Sequence, residues 1–282
     1  MIEQLKATYD VTMMCHHLGV SRSEFYRRRT SKPSKTKQAN QRLAAKIKVL
    51  FEAEKSRAGA PRIAEALREQ GESVGRNRVA KIMQKMGLRA KAAKKYKATT
   101  NSDHQLPVAP NLLEQNFEAA KPDEKYVSDI TYIWTTEGWL YLAVVMDLYS
   151  RMVVGWTMSE RMTAKLVCEA MTMALWKRKM PQQVIVHSDR GSQYCSHEYQ
   201  KLLRENKLIC SMSKKGDCYD NAAMESWNHS FKVEAIHGEQ FATRKAAKDA
   251  IFDYIEVYYN RQRRHSKLGY LSPAAFEVKQ VA

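Results

Sequence analysis

The pattern of apolar residues between positions 126 and 260 limits the fold more than any other feature of this 282-residue sequence. Residues 126–134 (YVSDITYIW), 139–147 (WLYLAVVMD) and 152–158 (MVVGWTM) are three β-rich runs, separated by a turn-like TEG and by LYSR. This spacing predicts antiparallel neighbours in a meander. A helix then follows over 163–178, a short buried strand over 183–187, a helix over 196–206 and a strand over 208–212. Two longer helices read over 220–236 and 243–260. Three strands followed by alternating helices and strands predict an α/β fold, a mixed sheet with helices on its faces.

The charge is distributed unevenly around that region. Residues 1–100 hold 24 basic and 8 acidic side chains, a net of +16, whereas residues 101–282 hold 23 and 22, a net of +1. A polyanionic partner rewards clustered Lys and Arg through counterion release, so the front third is expected to bind nucleic acid.

Two helix-turn-helix patterns occupy the basic third. In Leu18–Tyr26, Gly19 ends one helix, and Ser21 with Glu24 forms a capping box for the next. That helix runs into Arg27-Arg28-Arg29, which makes Arg27 and Arg28 candidate DNA contacts. The second copy opens at Pro61 and carries Ile63, Ala66 and Leu67 at helical spacing before Gly71 closes it. Val79, Ile82, Met83 and Met86 then form the apolar stripe of a helix stopped by Gly87. Its other face presents Arg76, Asn77, Arg78, Lys81, Gln84 and Lys85, donors suited to phosphates and base edges. The basic run continues through KAAKKYK at 91–97, and apolar periodicity is lost over 98–111.

Other classes are disfavoured. The opening MIEQLKATYD has no basic segment leading into an apolar one, so no secretory leader is expected. The most apolar run, Trp139–Met146, falls well short of the roughly 20 residues a membrane helix needs. Five scattered cysteines without a CxxC pair argue against a disulfide framework or a Cys-rich zinc site. A reduced, cytoplasmic protein is expected.

Carboxylates at the ends and middles of the predicted elements carry the chemistry. Asp129 lies inside the first strand, where a carboxylate is unfavourable unless its face is functional or solvated. Asp189 follows the QVIVH strand at its C-terminal end, where ligand sites of α/β sheets gather. Glu225 sits in the helix after Asp220, with Lys232 two turns further on. Three such carboxylates could hold two Mg²⁺ or Mn²⁺ ions for in-line phosphoryl transfer, hard oxygen ligands being unsuited to zinc. Spacing alone decides nothing: with 10 Asp and 20 Glu, chance gives about 0.7 Asp–Glu pairs at the 35 residues that separate Asp189 from Glu225. Asp220 is expected to cap the Glu225 helix rather than bind metal, and His187 to pack at a strand end.

Context adds what spacing lacks. Asp129-Ile130-Thr131-Tyr132, His187-Ser188-Asp189-Arg190-Gly191-Ser192-Gln193-Tyr194, and Asp220-Asn221-Ala222 with Glu225 and Lys232 occur in order. They resemble the catalytic core of retroviral-integrase-type insertion-sequence transposases, in particular the second-reading-frame (OrfB) product of a bacterial group that makes its full transposase by frameshifting. The tail from Tyr259-Asn260 through Arg263, His265-Ser266 and Leu268–Pro273 resembles that family too, as does the Pro61–Arg89 segment. Tyr126 stands where the family usually has Trp, and Gly75 where it usually has Ser or Thr.

The resemblance implies an RNase H-like catalytic core preceded by small all-α helix-turn-helix modules. It implies Asp129, Asp189 and Glu225 as an acidic triad binding two divalent ions, and Lys232 as a DNA contact near them. Arg263 and His265 are further candidates for phosphate contact. The expected domains are a helical module over 1–55, a second helix-turn-helix over 56–97, a linker over 98–116 and the core with its tail over 117–282. The expected activity is cleavage and 3′-OH strand transfer at insertion-sequence ends. The expected partners are element-end and target DNA, a second copy on DNA, and an upstream-frame (OrfA) protein or its fusion, with no membrane. An RNase H-like nuclease and a non-catalytic DNA-binding regulator stand as alternatives.

Overall fold

A computed structural model describes residues 2–30, 34–91, 106–214 and 218–281. The chain divides into two compact units, Met1–Arg89 and Ala90–Ala282. The basic run beyond Lys91, and the part of the expected linker before Leu106, lie outside the described residues.

The first unit is all helical: α1 (Ile2–Leu5), α2 (Val11–His17), α3 (Arg22–Thr30), α4 (Lys35–Ala53), α5 (Ala60–Glu69) and α6 (Arg76–Lys85). The turn chemistry read from the sequence is in place. Gly19 adopts φ +63°, and the Glu24 N–H donates to the Ser21 hydroxyl at 3.0 Å. Helix α4, which sequence reading assigns to the first module, packs with the second helix-turn-helix. Leu43, Ile47 and Phe51 share one buried cluster with Ile63, Leu67, Val79, Ile82 and Met83. The reason is supply of apolar surface: two ten-residue helices cannot enclose their own stripes, and a third long amphipathic helix closes the core.

The second unit is built on a five-stranded sheet in the order β3-β2-β1-β4-β5. Strands β1 (Lys125–Thr135), β2 (Gly138–Asp147) and β3 (Val153–Ser159) form the antiparallel meander. Strands β4 (Ile185–Ser188) and β5 (Ile209–Met212) join parallel to β1. Helices α7 (Ala164–Lys177), α8 (Ser192–Cys195) and α9 (His197–Glu205) supply the crossovers on one face. Helices α10 (Ala222–Phe231) and α11 (Arg244–Phe252) cover the other, each continuing into a π-helical stretch, Lys232–Ile236 and Asp253–Tyr259. A last helix, α12 (Pro273–Val281), follows in the tail.

Burial on both faces explains why β2 reads as a near-continuous apolar run. Leu140, Leu142, Val144 and Met146 face the α10–α11 side, while Ala143 and Val145 face α7. Gly155 lets α7 approach β3 at backbone distance: a Cβ there would lie 2.1 Å from the Ala170 carbonyl oxygen. The described part of the expected linker is docked rather than loose. Leu113 is buried in the core, and the Met212 N–H donates to the Pro110 carbonyl at 3.2 Å. Among the described residues, no helix is long and apolar enough to cross a membrane.

Candidate active site

Asp129 sits in the middle of β1, paired across the sheet with Val144. Strand β4 pairs with β1 only at Lys125–Val127, so β4 ends beside the carboxylate. There the turn after Ser188 delivers Asp189. Burial first, and then repulsion from Asp189, raise the Asp129 carboxyl well above the usual carboxylate range. The Ile130 N–H and the Asn228 amide partly offset this, donating to Asp129 at 2.8 and 2.7 Å, and Glu225 adds the weakest repulsion. The topology therefore brings Asp129 and Asp189 together, with Glu225 in electrostatic range on the exposed surface of α10. Among the described residues, no three His, Cys, Asp or Glu side chains already converge on one metal position.

The Asp189 turn has little room to vary. Its Oδ1 accepts from the Gly191 N–H at 2.9 Å, and a Cβ on Gly191 would stand 3.0 Å from that same oxygen. Arg190 turns away and donates through Nε to the Ser213 carbonyl at 2.6 Å. Beneath, the fully buried His187 ring lies between two hydroxyls, Nδ1 2.8 Å from Ser211 Oγ and Nε2 3.2 Å from Ser213 Oγ. Burial pushes its imidazole down to about 4, so it packs as a neutral ring at the strand end.

Lys232 leaves α10 where the π-helical stretch begins, and its Nζ lies 4.8 Å above the Tyr132 ring. Burial lowers its ammonium, while Tyr132 and Asp129 oppose the shift. Asp220, expected as a helix cap, has a different task. It is buried and accepts from the Asn111 amide at 3.0 Å and the Lys214 N–H at 2.7 Å, tying two loops beside the site.

The candidate DNA contacts divide. Arg76, Asn77, Lys81 and Lys85 are exposed along α6. Arg78 is turned inward, its Nε donating to Asn40 Oδ1 of α4 at 2.9 Å. Arg27 is exposed and ion-paired with Glu24 one turn back, and the side chain of Arg28 lies outside the described residues.

Arg263, a candidate for phosphate contact, is turned into the protein. It is buried, and its Nε and Nη2 donate to the two oxygens of the equally buried Glu234 at 2.7 and 3.0 Å. Nη2 also reaches Ser230 at 2.9 Å, and Nη1 lies 3.0 Å from the His265 ring. A guanidinium in a low-dielectric site needs a carboxylate, and the fold supplies one internally. His265 is half-buried against Tyr259, ring centroids 5.0 Å apart.

Asn228 is the positioning side chain that sequence reading misses. The available signal was its place three residues after Glu225, which puts both on one face of α10.

A five-stranded mixed sheet in this order, covered on both faces and bearing carboxylates on its first strand and after its fourth, is an RNase H-like core of the integrase class. The family matches and the sequence relatives agree. Residues 119–218 and 225–281 each match an integrase core domain family, and residues 38–96 match the HTH-like domain family. The transposase InsF for insertion sequence IS3A of Escherichia coli (strain K12) is 50% identical over 283 residues, covering 100% of this chain and 98% of that protein. The insertion element IS600 uncharacterized 31 kDa protein of Shigella sonnei is 47% identical over 94% of this chain and 98% of its own length. Among solved structures, the HTLV-2 integrase catalytic core domain in complex with magnesium aligns with a TM-score of 0.40 and 14% identity, covering 57% of this chain and 99% of that one. The chain belongs to the family of IS3-type insertion-sequence transposases, polynucleotidyl transferases with an integrase core.

Proposed function

We propose that this chain cuts DNA at the ends of an insertion sequence and joins the freed 3′-OH to a target, with Asp129, Asp189 and Glu225 as the catalytic carboxylates. The observation that carries the reading is the register of β4 on β1, which ends β4 beside Asp129 and so sets Asp189 next to it, in a chain of this family. Two ionised carboxylates this close repel. A divalent cation removes that cost, and the oxygen-only donor set suits Mg²⁺ or Mn²⁺. When bound, such ions supply Lewis-acid stabilisation to the attacking and leaving oxygens of an in-line displacement.

The chain's own groups do the rest. Asn228 holds one oxygen of Asp129, leaving the carboxylate a fixed orientation. The Gly191 N–H does the same for Asp189. Lys232, within electrostatic reach of Asp129, offers a cation to the phosphate being cut. The exposed donors Arg76, Asn77, Lys81 and Lys85 bind the element end by groove and backbone contacts, and the helical unit that carries them, within the HTH-like domain match, is the module that recognises it. Joining two ends calls for at least two copies on DNA, and an upstream-frame protein or fusion supplies further recognition.

The test is a cleavage and strand-transfer assay on the element's own ends with Mg²⁺ or Mn²⁺. Asp129→Asn, Asp189→Asn and Glu225→Gln should each abolish both steps while DNA binding survives. Full joining by Asp189→Asn would sink the assignment, and hydrolysis without joining by the unaltered chain would favour a nuclease.

A further inference from the structure

Two tryptophans stand outside the core near the candidate site. Trp134, near the end of β1, is 60% exposed, and Trp139, its cross-strand partner on β2, is 43% exposed. Their rings meet edge-on at 4.8 Å, and Tyr132 packs edge-on against Trp139 at 5.1 Å. All three lie on one face of the hairpin, by the alternation of the strand.

The hairpin that carries them is pinned. The Thr135 hydroxyl donates to the Gly138 carbonyl at 2.7 Å, and the Thr136 N–H donates to the Phe241 carbonyl at 3.0 Å. The Arg244 N–H reaches Glu137 at 2.8 Å, and its guanidinium reaches the Trp139 carbonyl at 3.2 Å. Large aromatic surface held rigidly in water is unfavourable unless something covers it.

The position says what covers it. Tyr132, the inner member, lies three residues along β1 from Asp129 and sits under the Lys232 ammonium at 4.8 Å. Lys232 in turn feels Asp129. By the same alternation Asp129 points to the other face of β1, so Lys232 is what joins the aromatic surface to the candidate cutting site, across the edge of β1 that β4 leaves open beyond Val127.

We propose that Trp134 and Trp139, with Tyr132, form a stacking platform for an unstacked base of the DNA strand beside the phosphate that is cut. Lys232 holds the backbone while the indoles cover the base. Every base has a π-face, so the platform reads single-strandedness and not sequence. It rests on the reading above that this core acts on DNA.

The test uses the full chain and two fluorescein-labelled DNAs, a blunt duplex and the same duplex with a single-stranded thymidine extension. Binding is read by anisotropy. Trp134→Ala/Trp139→Ala should lose about tenfold or more in affinity for the extended duplex and change by less than about twofold on the blunt one. Trp134→Phe/Trp139→Phe, which keeps π-faces and tests folding, should stay within about threefold of the unaltered chain on both. Equal losses on both DNAs, or no loss on either, would overturn the proposal. So would concentration-dependent dimerisation of the unaltered chain that the alanine pair abolishes with DNA affinity unchanged, since the surface would then be an interface between copies. If stacking fails while the unaltered chain still joins ends, the platform falls and the transposase reading stands. If the unaltered chain never joins ends while the extension is still preferred, the reverse holds.

Discussion

Arg263→Met is the perturbation with the largest effect on the core that can be worked from the structure. The guanidinium donates to both oxygens of Glu234 and to Ser230, and the Tyr254 hydroxyl donates to Glu234 at 2.9 Å. Arg263 is 8% exposed and Glu234 4%, so the charges have little water to fall back on. Methionine fills the stem of the arginine but removes the bidentate cation, leaving a buried carboxylate that has lost its charged partner. Breaking one side of such a pair costs about 3–5 kcal/mol, several times an exposed ion pair. Glu234→Gln strands the guanidinium and should cost a similar amount. Arg263→Met/Glu234→Gln should lose far less than the two single losses together, because neither charge is then left unpaired. Urea unfolding followed by tryptophan fluorescence measures this directly, since all five tryptophans, from Trp134 to Trp227, lie in the second unit. A loss under about 1 kcal/mol for Arg263→Met, or strictly additive losses, would refute the internal ion pair and return Arg263 to the surface.

Three further outcomes are expected. Asn228→Ala should slow single-turnover joining by about tenfold to a hundredfold with DNA affinity and unfolding midpoint unchanged, because it frees Asp129 without touching the core; an unchanged rate would remove Asn228 from the site. The His187 imidazole has a folded value of about 4 against an unfolded value near 6.5, so its contribution is complete above about 6.5 and is lost as pH falls toward 4. Between pH 7 and about 4.5 the unaltered chain should lose roughly 2.4 kcal/mol more unfolding free energy than His187→Asn, and equal pH slopes would refute this. Lys81→Ala and Lys85→Ala should each lower the slope of log K against log salt by about 1 on any DNA sequence, and unchanged slopes would take α6 off the DNA.

Much of the fold was legible because its signals are local. The three runs of the meander differ from β1, β2 and β3 by no more than one residue at either end, and the helix read over 163–178 is α7 with its flanking residues. Period-two alternation and turn residues act within a few positions, so a linear reading finds them. The long helices were less legible at their ends. The helices read over 220–236 and 243–260 each change to π-helical geometry part-way, where Glu234 and Tyr254 turn toward one another and Arg263. That change serves a contact between segments and leaves no mark in either segment alone. The packing partner of helix α4 was illegible for the same reason: its apolar stripe declares a buried face but not which segment buries it.

The sequence by itself determined the kinds of element, the division between a basic front and a nearly neutral remainder, and three carboxylates at strand and helix positions suited to metal-assisted chemistry. Those properties are sums or short-range patterns, complete before the chain folds. Only the tertiary structure decided how the polar side chains are used. It set Asp129 beside Asp189 by pairing β4 with the start of β1, gave Asp129 to Asn228, buried Arg263 on Glu234, and left Trp134 and Trp139 in the open. The physical reason is that a charge or an aromatic ring takes its meaning from the groups within a few ångströms. Those neighbours come from distant parts of the chain, which sheet register and helix packing bring together.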